Sequence, residues 1–175
     1  LKGSNPLEPF LTHGIVMSEE DIEFDLAAEL GSTEGITAQR FSIYLPDKDR
    51  YGNAVPNLDL WIESALQILV EINGGATRLP IAQGRWRNDP ASPVINEQTS
   101  VVYSFLFDSQ RFYRMFPALK GFIDTFGKWA NQDAVMIEFA GENPPENEDG
   151  APTYFMRAVL VRSYPQASEV SPFQA

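Results

Sequence analysis

The chain has 175 residues, 43% of them hydrophobic and 21% charged, which suits one globular domain that needs no covalent staple. It has no cysteine and a single histidine, His13, which excludes disulfides, thiolate metal sites and multi-histidine metal centres. The net charge of −11 argues against nucleic acid as a partner, because phosphate binding relies on a positive surface.

The charge is uneven along the chain. Positions 40–128 hold ten basic and nine acidic residues, whereas 3–39 hold eight acids, and 133–149 hold six acids, with no Lys or Arg in either stretch. No apolar run approaches the ~20 residues of a membrane span. No basic start followed by a short apolar core marks a signal peptide. With the missing cysteines, this gives the expectation of a cytoplasmic protein with no membrane association. No motif calls for a cofactor or a metal.

In chain order, residues 1–17 contain Pro6, Pro9 and Gly14 and read as an irregular arm. Ser18-Glu19-Glu20-Asp21 opens an acidic helix with its stripe at Ile22, Leu26 and Leu30 and its end at Gly31. Residues 40–45 alternate as a first strand, sending Phe41, Ile43 and Leu45 to the core. Pro46 ends it, and a polar loop leads to Asn57, the expected N-cap of a helix over 57–73. Trp61, Ala65, Leu69 and Ile72 share one face of that helix, and Gly74-Gly75 stops it.

A second strand is expected over 78–86, bent by Pro80 and Gly84, and a third over 99–106. Asp108 caps the next helix, in which Pro117 predicts a kink or a break. A fourth strand spans 134–140, an acidic Pro-rich loop 141–152 and a fifth strand 154–162. From Ser163 onward the chain reads as a polar, frayed tail.

The order predicts an α+β fold: a ferredoxin-like βαββαβ antiparallel sheet with an added C-terminal strand, preceded by an N-terminal acidic helix. The divisions are 1–39 for arm and helix, 40–163 for the domain and 164–175 for the tail. Both main helices should cover one face of the sheet and leave the other open.

The open face is the first candidate site. Ser42 and Tyr44 point there from the first strand, and Ala134, Met136 and Glu138 from the fourth. Tyr44 and Met136 are too apolar for a fully wet surface, so a second copy of the chain, the acidic N-terminal helix or a ligand should cover them; they are candidates for an interface with the chain itself or another protein. Thr77-Arg78 after Gly74-Gly75 is the second. Glycines permit close approach to a ligand and Arg78 suits an anion, while a plain helix C-cap explains the same glycines. Trp86 and Arg87, facing Glu97 across a hairpin, are the third, with an Arg–Glu ion pair as the structural explanation. Asn131 and Gln132 enter the fourth strand, where such residues usually satisfy backbone groups. Glu97 and Glu138 are the carboxylates that a functional reading would pair as acid and base or as hard-metal ligands, though nothing in their spacing demands either.

Several fragments carry a resemblance: Phe41-Ser42-Ile43-Tyr44-Leu45-Pro46 with Lys48-Asp49 and Gly52, Trp61, Gly74-Gly75-Ala76-Thr77, Gly84 with Trp86, Val101-Val102-Tyr103, and Asn131-Gln132 with Val135, Glu138 and Phe139. Together they resemble a family of short, uncharacterised bacterial proteins over 41–140. The resemblance implies a recurring framework and supplies no catalytic residue.

These readings give three expectations for function. The first is a soluble bacterial module without catalysis that binds a partner or itself. The second is a small enzyme or ligand-binding protein with a pocket from Thr77, Arg78, Trp86, Glu97, Asn131 and Glu138. The third is an acidic DNA mimic that inhibits a DNA-binding protein.

Overall fold

The computed structural model describes residues 29–31, 39–87, 89–143, 153–170 and 172–173. The chain divides into two units, Leu1–Gly35 and Ile36–Ala175. Of the first, only residues 29–31 are described, and Gly31 has the φ of +64° expected of a helix-ending glycine. The rest of the expected acidic helix, His13 and most of the acidic loop 141–152 lie outside the described residues.

Among its described residues the second unit is mixed α+β, an antiparallel sheet of six strands with two helices. Strand β1 (Arg40–Pro46) lies inside the sheet and pairs antiparallel with β4 (Ile95–Phe105) and β5 (Val135–Asn143). Its alternation explains the position. Phe41, Ile43 and Leu45 are buried on the helix side, and Ile43 lies opposite both Val102 and Ile137. Strand β6 (Thr153–Val161) pairs along the whole of β5 and forms one end of the order β2-β4-β1-β5-β6.

The expected second strand is two pieces. β2 (Thr77–Arg78) and β3 (Ala82–Trp86) both pair with β4, which therefore starts at Ile95, earlier than expected. Pro80 is the cause. Leu79 still donates its amide to the Val101 carbonyl at 2.9 Å, but Pro80 has no N–H to continue the ladder.

Helix α1 (Leu58–Asn73) buries Trp61, Ile62, Ala65, Leu69 and Ile72. Asn57 precedes it as expected, yet its side chain does not cap. Its backbone takes the left-handed conformation at φ 55°, and its carbonyl accepts from the amides of Leu60 and Trp61. Gly74 closes the helix at φ 81°, its N–H donating to Val70.

Helix α2 (Ser109–Trp129) is capped by Asp108, whose side chain accepts from the Arg111 amide at 2.9 Å. It runs through Pro117 without the expected break. The proline ring removes the bond to the Tyr113 carbonyl, but Tyr113 and Pro117 are both exposed, so water can take that carbonyl. Neither helix is long and apolar enough to cross a membrane.

The described residues after β6, 162–170 and 172–173, correct another expectation: they are not frayed. The ring of Tyr164 lies on Gly127, where an added Cβ would stand 2.2 Å from it. The Gln166 amide donates to the fully buried carboxylate of Asp124 at 2.9 Å, and Lys120 pairs with the same carboxylate. Trp129 donates its indole N–H to the Ser168 carbonyl, and Phe173 meets Trp61 edge-on at 4.6 Å. A segment polar in composition is thus held by side chains of α1 and α2.

Candidate functional site

The register shows which side chains share the sheet face away from the core. Arg40, Ser42 and Tyr44 of β1 lie level with Phe105, Tyr103 and Val101 of β4. On the other side, Ala140 and Glu138 of β5 face Arg40 and Ser42. Ala158 and Met156 of β6 continue those two rows outward.

This register places a carboxylate between a cation and a phenol. Arg40 donates from Nη2 to Oε1 of Glu138 at 2.5 Å, and the Tyr44 hydroxyl donates to Oε2 at 3.1 Å. Glu138 is only 9% exposed, and Ser42 beside it is buried. A carboxylate so placed needs a cation and hydrogen bonds, and it has both. The guanidinium also sits 5.6 Å from the centre of the Tyr103 ring. Burial raises the Tyr44 phenol above its usual range, and the hydrogen bond to Glu138 adds to the rise. Arg40 keeps its Nε buried with no hydrogen-bond partner among the described residues.

Arg40 opens onto a cavity of about 440 Å³ at the end of this face. Its walls are Phe105, Tyr154, Phe155 and Met156, with the backbone of Ala140 and Gly141 beneath. Gly141 is required there, since a Cβ would come within 2.8 Å of Gln39 and 3.3 Å of Phe155. The surroundings are mainly apolar and aromatic, with one cation among them, the usual make-up of a small-molecule site.

No protein-family model matches the chain, and no curated protein matches it. Two solved structures are similar. One, a phage SAM lyase in complex with S-methyl-5'-thioadenosine, aligns at 10% identity and a TM-score of 0.48, over 73% of this chain and 93% of its own. The other, a phage SAM lyase in the apo state, aligns at 12% identity and a TM-score of 0.46, over 74% and 94%.

The residues singled out from sequence do not form one pocket. Glu97 and Glu138 share the sheet face but not a cleft. Glu138 lies level with Tyr103 through Ser42, and Glu97 is six residues further along β4, about 20 Å away at strand spacing. Glu97 accepts from the Trp86 indole at 2.6 Å and from the Thr99 hydroxyl at 3.1 Å. Trp86, rather than an arginine, is therefore its partner, and Arg87 donates to the Pro90 carbonyl. Burial raises the Glu97 carboxyl above its usual range against those two bonds. Gly84 leaves the room, since a Cβ there would lie 2.9 Å from Glu97.

Arg78 pairs opposite Val102, a core-side position, and donates to the Ser100 hydroxyl at 3.0 Å; Thr77 is exposed opposite Tyr103. Asn131 and Gln132 belong to a backbone clamp. Asn131, at φ 49°, donates to Asp49 at 3.3 Å, and Gln132 donates to the Lys48 carbonyl at 3.0 Å. Arg50 returns two bonds to the carbonyls of Asn131 and Gln132. This clamp ties the loop after β1 to the α2–β5 junction.

Tyr44 and Met136 are both half-buried; more exposed apolar groups of this face are Phe105, Tyr154, Met156 and Leu160. Sequence reading missed Arg40, Phe105 and the β6 residues as site members. The signal was present, because Arg40 alternates onto the same face as Ser42 and Tyr44.

Proposed function

We propose that the chain is a small ligand-binding protein with the means for acid–base chemistry, its site at the Arg40 end of the sheet face. The frame for this reading is a ferredoxin-like βαββαβ sheet with β6 appended. What carries the proposal is the Arg40–Glu138–Tyr44 cluster next to an aromatic-walled cavity. A carboxylate held beneath a phenol and a guanidinium is an arrangement that accepts, donates or positions a proton. The ligand class is an organic molecule with a planar or apolar body for Phe105, Tyr154 and Met156 and an acceptor or anionic group for Arg40.

This reading favours the enzyme or ligand-binding expectation, moved from the Glu97 end to the Arg40 end. The DNA-mimic expectation rests on acidic stretches, much of which lies outside the described residues.

The probe 1-anilinonaphthalene-8-sulfonate has both features, an aromatic body and an anion. Its fluorescence should rise saturably with the protein. Arg40→Ala should weaken binding about tenfold, the loss of one charge-assisted hydrogen bond of about 1.5 kcal/mol. Phe105→Ser and Met156→Glu alter exposed side chains and should weaken it without disturbing the fold. Binding equal to that of the unaltered chain in both of these variants would refute the site.

A further inference from the structure

Strand β6 is nine residues long, and six of them, Tyr154, Phe155, Met156, Val159, Leu160 and Val161, are large and apolar. It ends the sheet order, and among the described residues it pairs only with β5. Its side chains are exposed on both faces. Met156 is 70% exposed and Leu160 52% on the Glu138 side, and Val159 is 51% exposed on the other. Edge strands are normally guarded by lysines, prolines, bulges or short length. Strand β6 carries one charge, Arg157, and none of the other guards, and its ladder with β5 runs without a bulge from Val161 to Thr153.

We infer that β6 pairs with the β6 of a second copy, antiparallel, about a two-fold axis at Ala158. Three observations select a second copy. A ligand on one face leaves the other face of β6 wet, whereas an added strand covers the backbone edge and flanks both faces. Arg157 is the single charge in β6, so two chains of net charge −11 meet along a stripe free of acids. The strand is also self-complementary in this register. Ala158, the smallest side chain, meets the partner's Ala158 on the axis. Met156 lies opposite the partner's Leu160 on one face, and Arg157 opposite the partner's Val159 on the other. Centring the pair one residue earlier would set Arg157 against the partner's Arg157.

The pairing bears on the cavity. Tyr154 and Met156 are walls of the cavity at Arg40, so the partner's Leu160 closes its outer side. That consequence rests on the ligand-site reading; the pairing itself does not. An interface of one strand per chain is at the small end of specific contacts, about 1,200 Å² in total, and fits a micromolar dissociation constant.

The absence of cysteine makes the test direct. Opposed Cα atoms in an antiparallel pair are about 4.5–5.5 Å apart, within disulfide range. Under mild oxidation, Ala158→Cys should form a covalent dimer at least about tenfold faster than Tyr113→Cys, a control at another exposed position, on α2, because pairing raises the effective thiol concentration. At about 100 µM the unaltered chain should sediment as a dimer of its 19.6 kDa protomer, and Leu160→Lys with Val159→Lys should be a monomer of unchanged far-ultraviolet circular dichroism. A monomer at that concentration, a dimer that survives the lysine pair, or equal cross-linking of the two cysteine variants overturns the inference. The naphthalene sulfonate separates the two claims. If Ala158→Cys cross-links while probe binding is the same in the dimer and the lysine-pair monomer, pairing stands and closure of the cavity by the partner's Leu160 is wrong.

Discussion

Removing the Glu138 carboxylate tests the cluster from within. In Glu138→Ala, the Arg40 guanidinium loses its carboxylate and the Tyr44 hydroxyl its acceptor. A charge-assisted hydrogen bond contributes about 1.5–3 kcal/mol and a neutral donor's bond about 1 kcal/mol. The Arg40 side chain is 37% exposed, so water replaces part of the first. The net expected loss is about 2 kcal/mol. Arg40→Ala should lose a similar amount, because it leaves a carboxylate in a site with little water. The double variant removes both ends at once and should cost about 1 kcal/mol less than the sum of the two. Urea unfolding followed by tryptophan fluorescence reads all four chains, since Trp61 is buried. A near-ultraviolet titration adds a local readout. The Tyr44 phenol, raised by burial and then by Glu138, should ionise at lower pH in Glu138→Gln. Additive single losses, with a Tyr44 titration that does not move, would refute the reasoning.

Other positions yield predictions of their own. Gly127→Ala puts a Cβ 2.2 Å from the Tyr164 ring, so the C-terminal segment must lift; the expected loss is about 1–3 kcal/mol, with faster proteolytic cleavage near Ser168, and wild-type resistance would contradict the packing. Glu97 has its carboxyl raised by burial, so the folded chain holds that proton more tightly than the unfolded one. Its effect on stability therefore turns unfavourable as pH rises from the ordinary carboxylate range to the raised value. Glu97→Gln should remove that slope, and thermal melts of the two chains should diverge on the alkaline side of the window; parallel curves throughout would show that the carboxyl is not perturbed.

The mixed α+β class and the antiparallel sheet were legible because alternation is strong where one face is buried, as at Phe41, Ile43 and Leu45. Helix α1 was legible from Trp61, Ala65, Leu69 and Ile72. The failures have physical causes. Pro80 predicts a bend, but a missing N–H ends a ladder outright. Pro117 predicts a kink or a break, but it lies with Tyr113 on an exposed helix face, where water can take the freed carbonyl. The tail from Ser163 is polar, and only the folded chain shows that Asp124, Trp129 and Trp61 await it. Alternation named the face on which Tyr44 and Glu138 lie. It did not give the register that sets Glu138 opposite Ser42, with Arg40 and Tyr44 on either side. Register is decided between strands distant in sequence, so the Arg40 cluster was hidden and the Glu97–Glu138 pairing looked possible.

Amide chemical shifts give the most direct check on where a small molecule sits. Titrating the naphthalene sulfonate into isotope-labelled protein should move the amides of Arg40, Phe105, Gly141 and Phe155 together, along one saturation curve. Shifts centred on Trp86 and Glu97, or scattered without saturation, would contradict a site at the Arg40 end.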